Sequence, residues 1–164
     1  MTIYATNGAR IFIGGALPAK ATDFVEADFT SQTWVEVGEA EGLGSAGDTS
    51  AEITFDGITS GRTRRLKGTR NAGTMELVFG NDPTDPGQIA LVAAEKAKGD
   101  YAFRIVLTDA PQGGSASERM FVAQVGSAVE QFDSANNVIK LNATLWINSN
   151  IVRKPASGAS GGGS

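Results

Sequence analysis

The residue types that usually do chemistry are sparse in this chain and poorly placed for it. Its 164 residues include no cysteine and no histidine. It therefore offers no thiolate nucleophile, no Ser-His or Cys-His pairing, no imidazole base near neutral pH and none of the commonest zinc ligands. Paired carboxylates remain. Glu39 and Glu41 form one pair, in a glycine-rich loop; Asp82 and Asp85 form another. Asp82 precedes Pro83 in a turn, and Asp85 stands where a helix N-cap belongs, a role worth about 1 kcal/mol without any catalysis. Gly42-Leu43-Gly44-Ser45-Ala46-Gly47 matches the dinucleotide fingerprint G-x-G-x-x-G letter for letter. That fingerprint needs a strand before it and a helix after it, so that phosphates meet the helix N-terminus. The next stretch, Ser50 to Phe55, instead alternates as a strand with Ala51, Ile53 and Phe55 on one face, so the match reads as an inter-strand loop. The sequence holds no calcium loop of the D-x-D-x-D-G type, no phosphate loop ending in Gly-Lys-Ser or Gly-Lys-Thr and no G-x-S-x-G elbow. Neither an enzyme nor a bound metal or cofactor is expected.

Charge narrows the partners further. Fourteen Lys plus Arg against 18 Asp plus Glu give a net charge of -4, the opposite of what displaces counterions from duplex DNA. One segment runs against that balance. Gly57 to Arg70 concentrates Arg62, Arg64, Arg65, Lys67 and Arg70. It reads either as a contact surface for an acidic neighbouring subunit or as a solvated hairpin whose arginines pair with the chain's own carboxylates. It lacks the interleaved aromatics that stack on bases. No apolar run approaches the length of a membrane span, and MTIYATNGAR lacks the charged-then-apolar pattern of a secretory signal, so neither membrane binding nor export by that route is expected.

The elements that must position these residues are mostly strands. A chain of this length buries roughly 70% of its unfolded surface as one domain, and 21 glycines fit an all-β chain with many turns. Residues 1–153 are expected to form a single domain, with 1–9 as its N-terminal arm, and 154–164 a flexible Gly/Ser-rich tail. Thr74 to Gly80 alternates, with Met75, Leu77 and Phe79 on one face. Gly80-Asn81-Asp82-Pro83 supplies a turn, Thr84 or Asp85 a cap, Pro86 a first helical position, and Ile89 to Ala97 a short helix closed by Gly99. That helix is apolar on most of its surface and is expected to pack on a sheet. Further strands are predicted over Arg10–Gly14, Thr33–Gly38, Asp100–Thr108, Glu118–Gly126 with a continuation to Phe132 past a bulge, and Val138–Asn148, the last expected to be the longest. Phe24, Val25 and Phe29, in a stretch that alternates poorly, read as anchors of a loop. The sum is an antiparallel β-sandwich or partly open barrel with one α-helix, whose edges must be managed.

A basic strand running into KGTRNAGTMEL, an N-D-P-T-D-P-G-Q turn and an A-L-V-A-A helix, over roughly Trp34 to Leu107, resembles the tail tube (major tail protein) family of long-tailed bacteriophages. The resemblance implies rings, six subunits to a ring, whose sheets fuse into a closed barrel, stacked into a hollow tube through which DNA passes unbound. It implies a virion location and, as partners, copies of the chain itself with tail tip, tape measure and terminator proteins. In that setting Arg62, Arg64, Arg65, Lys67, Arg70, Glu39, Glu41 and Asp48 are candidates for subunit or ring contacts. Glu36, Glu52 and Glu76, which alternate with core residues, are candidates for an acidic or neutral bore. Two alternatives stay open: a tube protein of a bacterial secretion machine, and a monomeric β-sandwich module binding carbohydrate or peptide.

Overall fold

The computed structural model describes residues 2–158. The alternating segments form strands β1 (Arg10–Ala16), β2 (Val35–Val37), β3 (Ala40–Gly42), β4 (Thr49–Asp56), β5 (Thr63–Asn71), β6 (Thr74–Gly80), β7 (Tyr101–Val106), β8 (Glu118–Gln131), β9 (Lys140–Ile147) and β10 (Val152–Lys154), with helix α1 (Pro86–Lys96) between β6 and β7. The main sheet runs β2-β1-β7-β8-β9-β6-β3, with β10 on β8, and its pairings are antiparallel. Only Gly38 and Glu39 separate β2 from β3, yet these strands occupy opposite ends of the sheet. The sheet must curl until its two rims approach, and the architecture is a partly open barrel rather than two separate layers.

Alternation sends one residue in two inward. Ile11, Ile13, Val37, Met75, Leu77, Phe79, Phe103, Phe121, Leu141 and Leu145 fill the interior, with Phe103 and Phe121 stacked 5.8 Å apart. The longest strand is β8, not β9: its 14 residues serve β7 with the first half and β9 with the second, across a register shift between Val125 and Ser127. Val138 and Ile139, read from sequence as the start of the last long strand, lie exposed in the turn before β9.

The cap of α1 also ties the rims together. Asp85 accepts hydrogen bonds from the Gln88 N–H at 2.9 Å and from the Gly38 N–H at 3.1 Å. Gln88, only 3% exposed, donates through Nε2 to the Gly38 carbonyl (3.1 Å) and the Gly80 carbonyl (2.8 Å), and accepts at Oε1 from the Asp82 N–H (3.0 Å). Leu91 and Ala94 enter the core. The helix ends at Lys96, short of Gly99, and its outer side, including Ile89 and Ala93, stays exposed. The helix packs on the sheet as expected, with Ala90 and Val92 also against the core, but Ile89 and Ala93 are left without cover.

The outer face of β7 and β8 carries a second cluster, in which Phe24 and Phe29 anchor the loop before β2 against Ala102, Met120 and Val122, whereas Val25, expected to anchor beside them, is 57% exposed. Residues up to Ser157 are held: β10 pairs with β8, and Ser157 exchanges backbone hydrogen bonds with Ser115 at 2.9 and 3.1 Å. The expected loose tail thus starts later than Lys154, and its residues 159–164 lie outside the described residues. Among the described residues no helix is long and apolar enough to cross a membrane.

Candidate assembly surfaces

Strands β4 and β5 form a separate two-stranded sheet. All of β4, and all of β5 except Gly68, is exposed. Directly opposed residues share a face. On one side Ile53 sits opposite Leu66 and Phe55 opposite Arg64, with Ile53, Phe55 and Leu66 respectively 50%, 60% and 63% exposed. On the other, Glu52 sits opposite Lys67 and Thr54 opposite Arg65, and Arg65 reaches Glu52 at 2.6 Å. Asp48 and Arg70 pair at the root, 2.5 Å apart. Sequence reading gave Ala51, Ile53 and Phe55 a shared face, and the structure keeps that alternation but leaves the face bare. Period-2 patterning reports that a strand is two-faced; it does not report what covers it.

The basic cluster therefore divides. Arg62 lies in the turn, Arg64 on the apolar side, Arg65 and Lys67 on the polar side and Arg70 at the root. Two of the five, Arg65 and Arg70, pair with the chain's own carboxylates. The acidic contact candidates divide as well. Asp48 stays with Arg70, whereas Glu41 pairs with Lys140 at 3.0 Å and Glu39 accepts from the Gly80 N–H at 2.8 Å through its carbonyl. Glu39 and Glu41 thus sit at the Gly80 end of β6, and the hairpin root at its Thr74 end, about 20 Å away at the usual rise per strand residue.

The outward side of β8, β9 and β6 is the second uncovered surface. Across it run the rows Gln124–Trp146–Thr74, Ser127–Thr144–Glu76, Val129–Asn142–Val78 and Gln131–Lys140–Gly80. Its charged groups are Glu76 and Lys140, the latter already tied to Glu41. Trp146, half exposed, lies flat over Gly126, where any Cβ would strike the indole. Of the bore candidates, Glu76 occupies this face, Glu36 projects outward from β2 opposite Phe12, and Glu52 belongs to the hairpin. The three do not share a surface. Sequence reading missed Trp146 and Val129 as members of this face; the alternation of Val138 to Asn148 placed Trp146 on the polar side, and that was the available signal.

The perturbed carboxylates are turn fixtures. Thr84 holds Asp82 below the ordinary carboxylate range through its hydroxyl and N–H, and Ser117 does the same for Asp109. Lys20 and then the Val25 N–H hold Asp28 down. Among the described residues no group of three His, Cys, Asp or Glu is placed to hold a metal.

No family model and no curated protein matches the sequence. Solved structures do. The SPP1 tail tube aligns over 96% of this chain and 82% of its own, with a TM-score of 0.62 at 13% identity. The PVC sheath/tube terminator of an extracellular contractile injection system aligns over 94% and 98%, at 0.63 and 12%. A chain of the anti-feeding prophage baseplate aligns over 98% and 99%, at 0.63 and 14%. The protein has the tail-tube fold: a mainly antiparallel β barrel with one helix, as expected from the Trp34–Leu107 resemblance.

Proposed function

We propose that this chain is a structural, non-enzymatic subunit of a tube. Copies join into rings of six, the rings stack, and the uncovered side of β8, β9 and β6 faces the bore, through which DNA passes in a virion tail. Residues 1–153 act as one tube-building unit, and the tail tip, tape measure and terminator proteins meet it at the tube's ends.

The observation that carries this reading is the β4–β5 hairpin. Two strands alone are at best marginally stable in water, and this pair exposes half or more of Ile53, Phe55 and Leu66. Covering each gains on the order of 1 kcal/mol, since full burial of such a side chain is worth about 1.5–3 kcal/mol. A neighbouring copy that covers the hairpin therefore stabilises both the ribbon and the assembly. The same reading keeps Arg62, Arg64, Arg65, Lys67 and Arg70 at contacts between copies and away from the bore. A bore face carrying Glu76 and a neutralised Lys140 does not grip phosphate. One free cation per subunit, at about 0.3 kcal/mol per exposed phosphate contact, would repeat six times in each ring and hinder passage.

A second reading, a tube that carries cargo other than DNA, is favoured by one observation: the injection-system structures match as well as the phage tube, at TM-scores of 0.63 and 0.62. Negative-stain microscopy with sizing chromatography over a wide concentration range tests the shared claim, and rings or tubes are expected. A protein that stays monomeric at every concentration while binding a sugar or peptide refutes it. Nuclease-protected DNA recovered from assembled particles supports the first reading over the second.

A further inference from the structure

We propose that the groove between α1 and the β8–β9 hairpin is the receptor for the apolar face of another copy's β4–β5 hairpin. The inference rests on the tube reading and adds where the hairpin goes. The groove holds about 330 Å³ of open volume. Ile89, Val92 and Ala93 of α1 form one wall, and Leu141 and Glu130 the other, with Asp82 nearby. Its rim continues into the turn after β8, where Phe132, Val138 and Ile139 are 61%, 68% and 44% exposed. Ile89 and Ala93 belong to the side of α1 that the chain's own sheet leaves uncovered, while Val92 and the buried Leu141 join the groove to the core.

Charge and geometry select the occupant. The hairpin's bare side presents Ile53, Phe55 and Leu66 with Arg64 among them. The groove presents apolar walls with Glu130 and Asp82, and exposed Glu39 and Glu41 lie at the same end of β6. Arg64 therefore finds a carboxylate where its apolar neighbours find hydrocarbon. Lys96, the cation in the groove lining, lies in the last turn of α1, at the other end of the helix from Asp82.

The hairpin root is at the Thr74 end of β6, where the Ile147 N–H bonds the Gly73 carbonyl at 3.1 Å. The groove opens at the other end, where the Asn81 N–H bonds the Ile139 carbonyl at 2.9 Å. A knob at one end and a socket at the other make a heterologous, head-to-tail contact, which never closes a two-fold pair and runs on into open stacks wherever its rotation does not close a ring. The inference thus gives the tube an axial polarity, with basic ribbons of one ring entering acidic sockets of the next.

The absence of native cysteine makes the test clean. Leu66→Cys and Ile89→Cys are placed in separate chains, both at exposed positions, then mixed under assembly conditions and oxidised. In an equal mixture each Leu66→Cys hairpin meets an Ile89→Cys socket about half the time, so up to about half of the assembled chains are expected to run as disulfide-linked dimers, while either variant alone stays largely uncross-linked. In parallel, Arg64→Glu and Glu130→Arg are each expected to raise the critical assembly concentration at least tenfold, and the double exchange to restore it. Tubes that form without the 66–89 link, or a double exchange that restores nothing, overturn the socket and leave the tube reading standing. A protein that forms no tubes or rings under any condition overturns both.

Discussion

Replacing Gln88 probes how the barrel is fastened shut. Its amide links three places: the β2–β3 connection through Gly38, the end of β6 through Gly80, and the turn before α1 through Asp82. Each hydrogen bond contributes about 0.5–1.5 kcal/mol net, so Gln88→Met, which keeps much of the volume and removes the bonds, is expected to cost about 2–4 kcal/mol. Gly38 and Gly80 are only partly buried, so water can replace some of the lost bonds, which argues for the lower part of that range. Urea unfolding of the unassembled chain at neutral pH measures it directly. With a slope of about 2 kcal/mol/M, in the middle of the range for small proteins, the midpoint should drop by roughly 1–2 M with little change in slope. Because Gln88 also lines the groove beside α1, the variant is expected to assemble less readily. A loss under about 0.5 kcal/mol would show that the rims close without this side chain, and the fastening argument would fail.

Gly87→Ala forces a methyl against the Glu36 carbonyl and the Val37 Cα; pushing α1 off β2 should cost about 1–3 kcal/mol or more by the same urea measurement. Glu76→Lys leaves the fold intact and adds a cation to the proposed bore, so assembled particles should release DNA several-fold more slowly in a dye-release assay, and an unchanged rate would move the bore to another face. Asp109 and Asp82 have folded pKa values below the ordinary 3.8, so their contribution is fully present above that value and is lost as pH falls through the lower folded value. The melting temperature should hold between pH 7 and 5 and fall below about pH 4, less steeply in Asp109→Asn. Limited trypsin digestion of unassembled chain should cut first within the hairpin, at Arg62 to Lys67, and assembly should protect those bonds; equal cutting in both states counts against burial of the hairpin between copies.

Much of the fold is legible in the sequence because local physics decides it. Asp85-Pro86 marks the start of α1 by cap chemistry and a missing N–H, and Met75-Leu77-Phe79 marks an inward face by alternation alone. Phe24 and Phe29 read as loop anchors because two large aromatics in a poorly alternating stretch need somewhere to go. What escapes is whatever depends on neighbours distant in sequence. Nothing local tells Ile53 and Phe55 from true core residues, since their partners, if the socket holds, belong to another molecule. Nothing local shows that Val35–Val37 and Ala40–Gly42 part company to opposite rims. The basic cluster was legible as a cluster, yet its division among a turn, an apolar side and a root follows from the β4–β5 register, which no single residue encodes.

The eight residues Val35 to Gly42 act as a hasp across the barrel. Because one short peptide belongs to both rims, neither rim can peel away without dragging the other through Gly38 and Glu39. Subunits strung along a long tube would be pulled and twisted whenever the tube flexes, and a barrel latched in this manner yields as a whole or not at all.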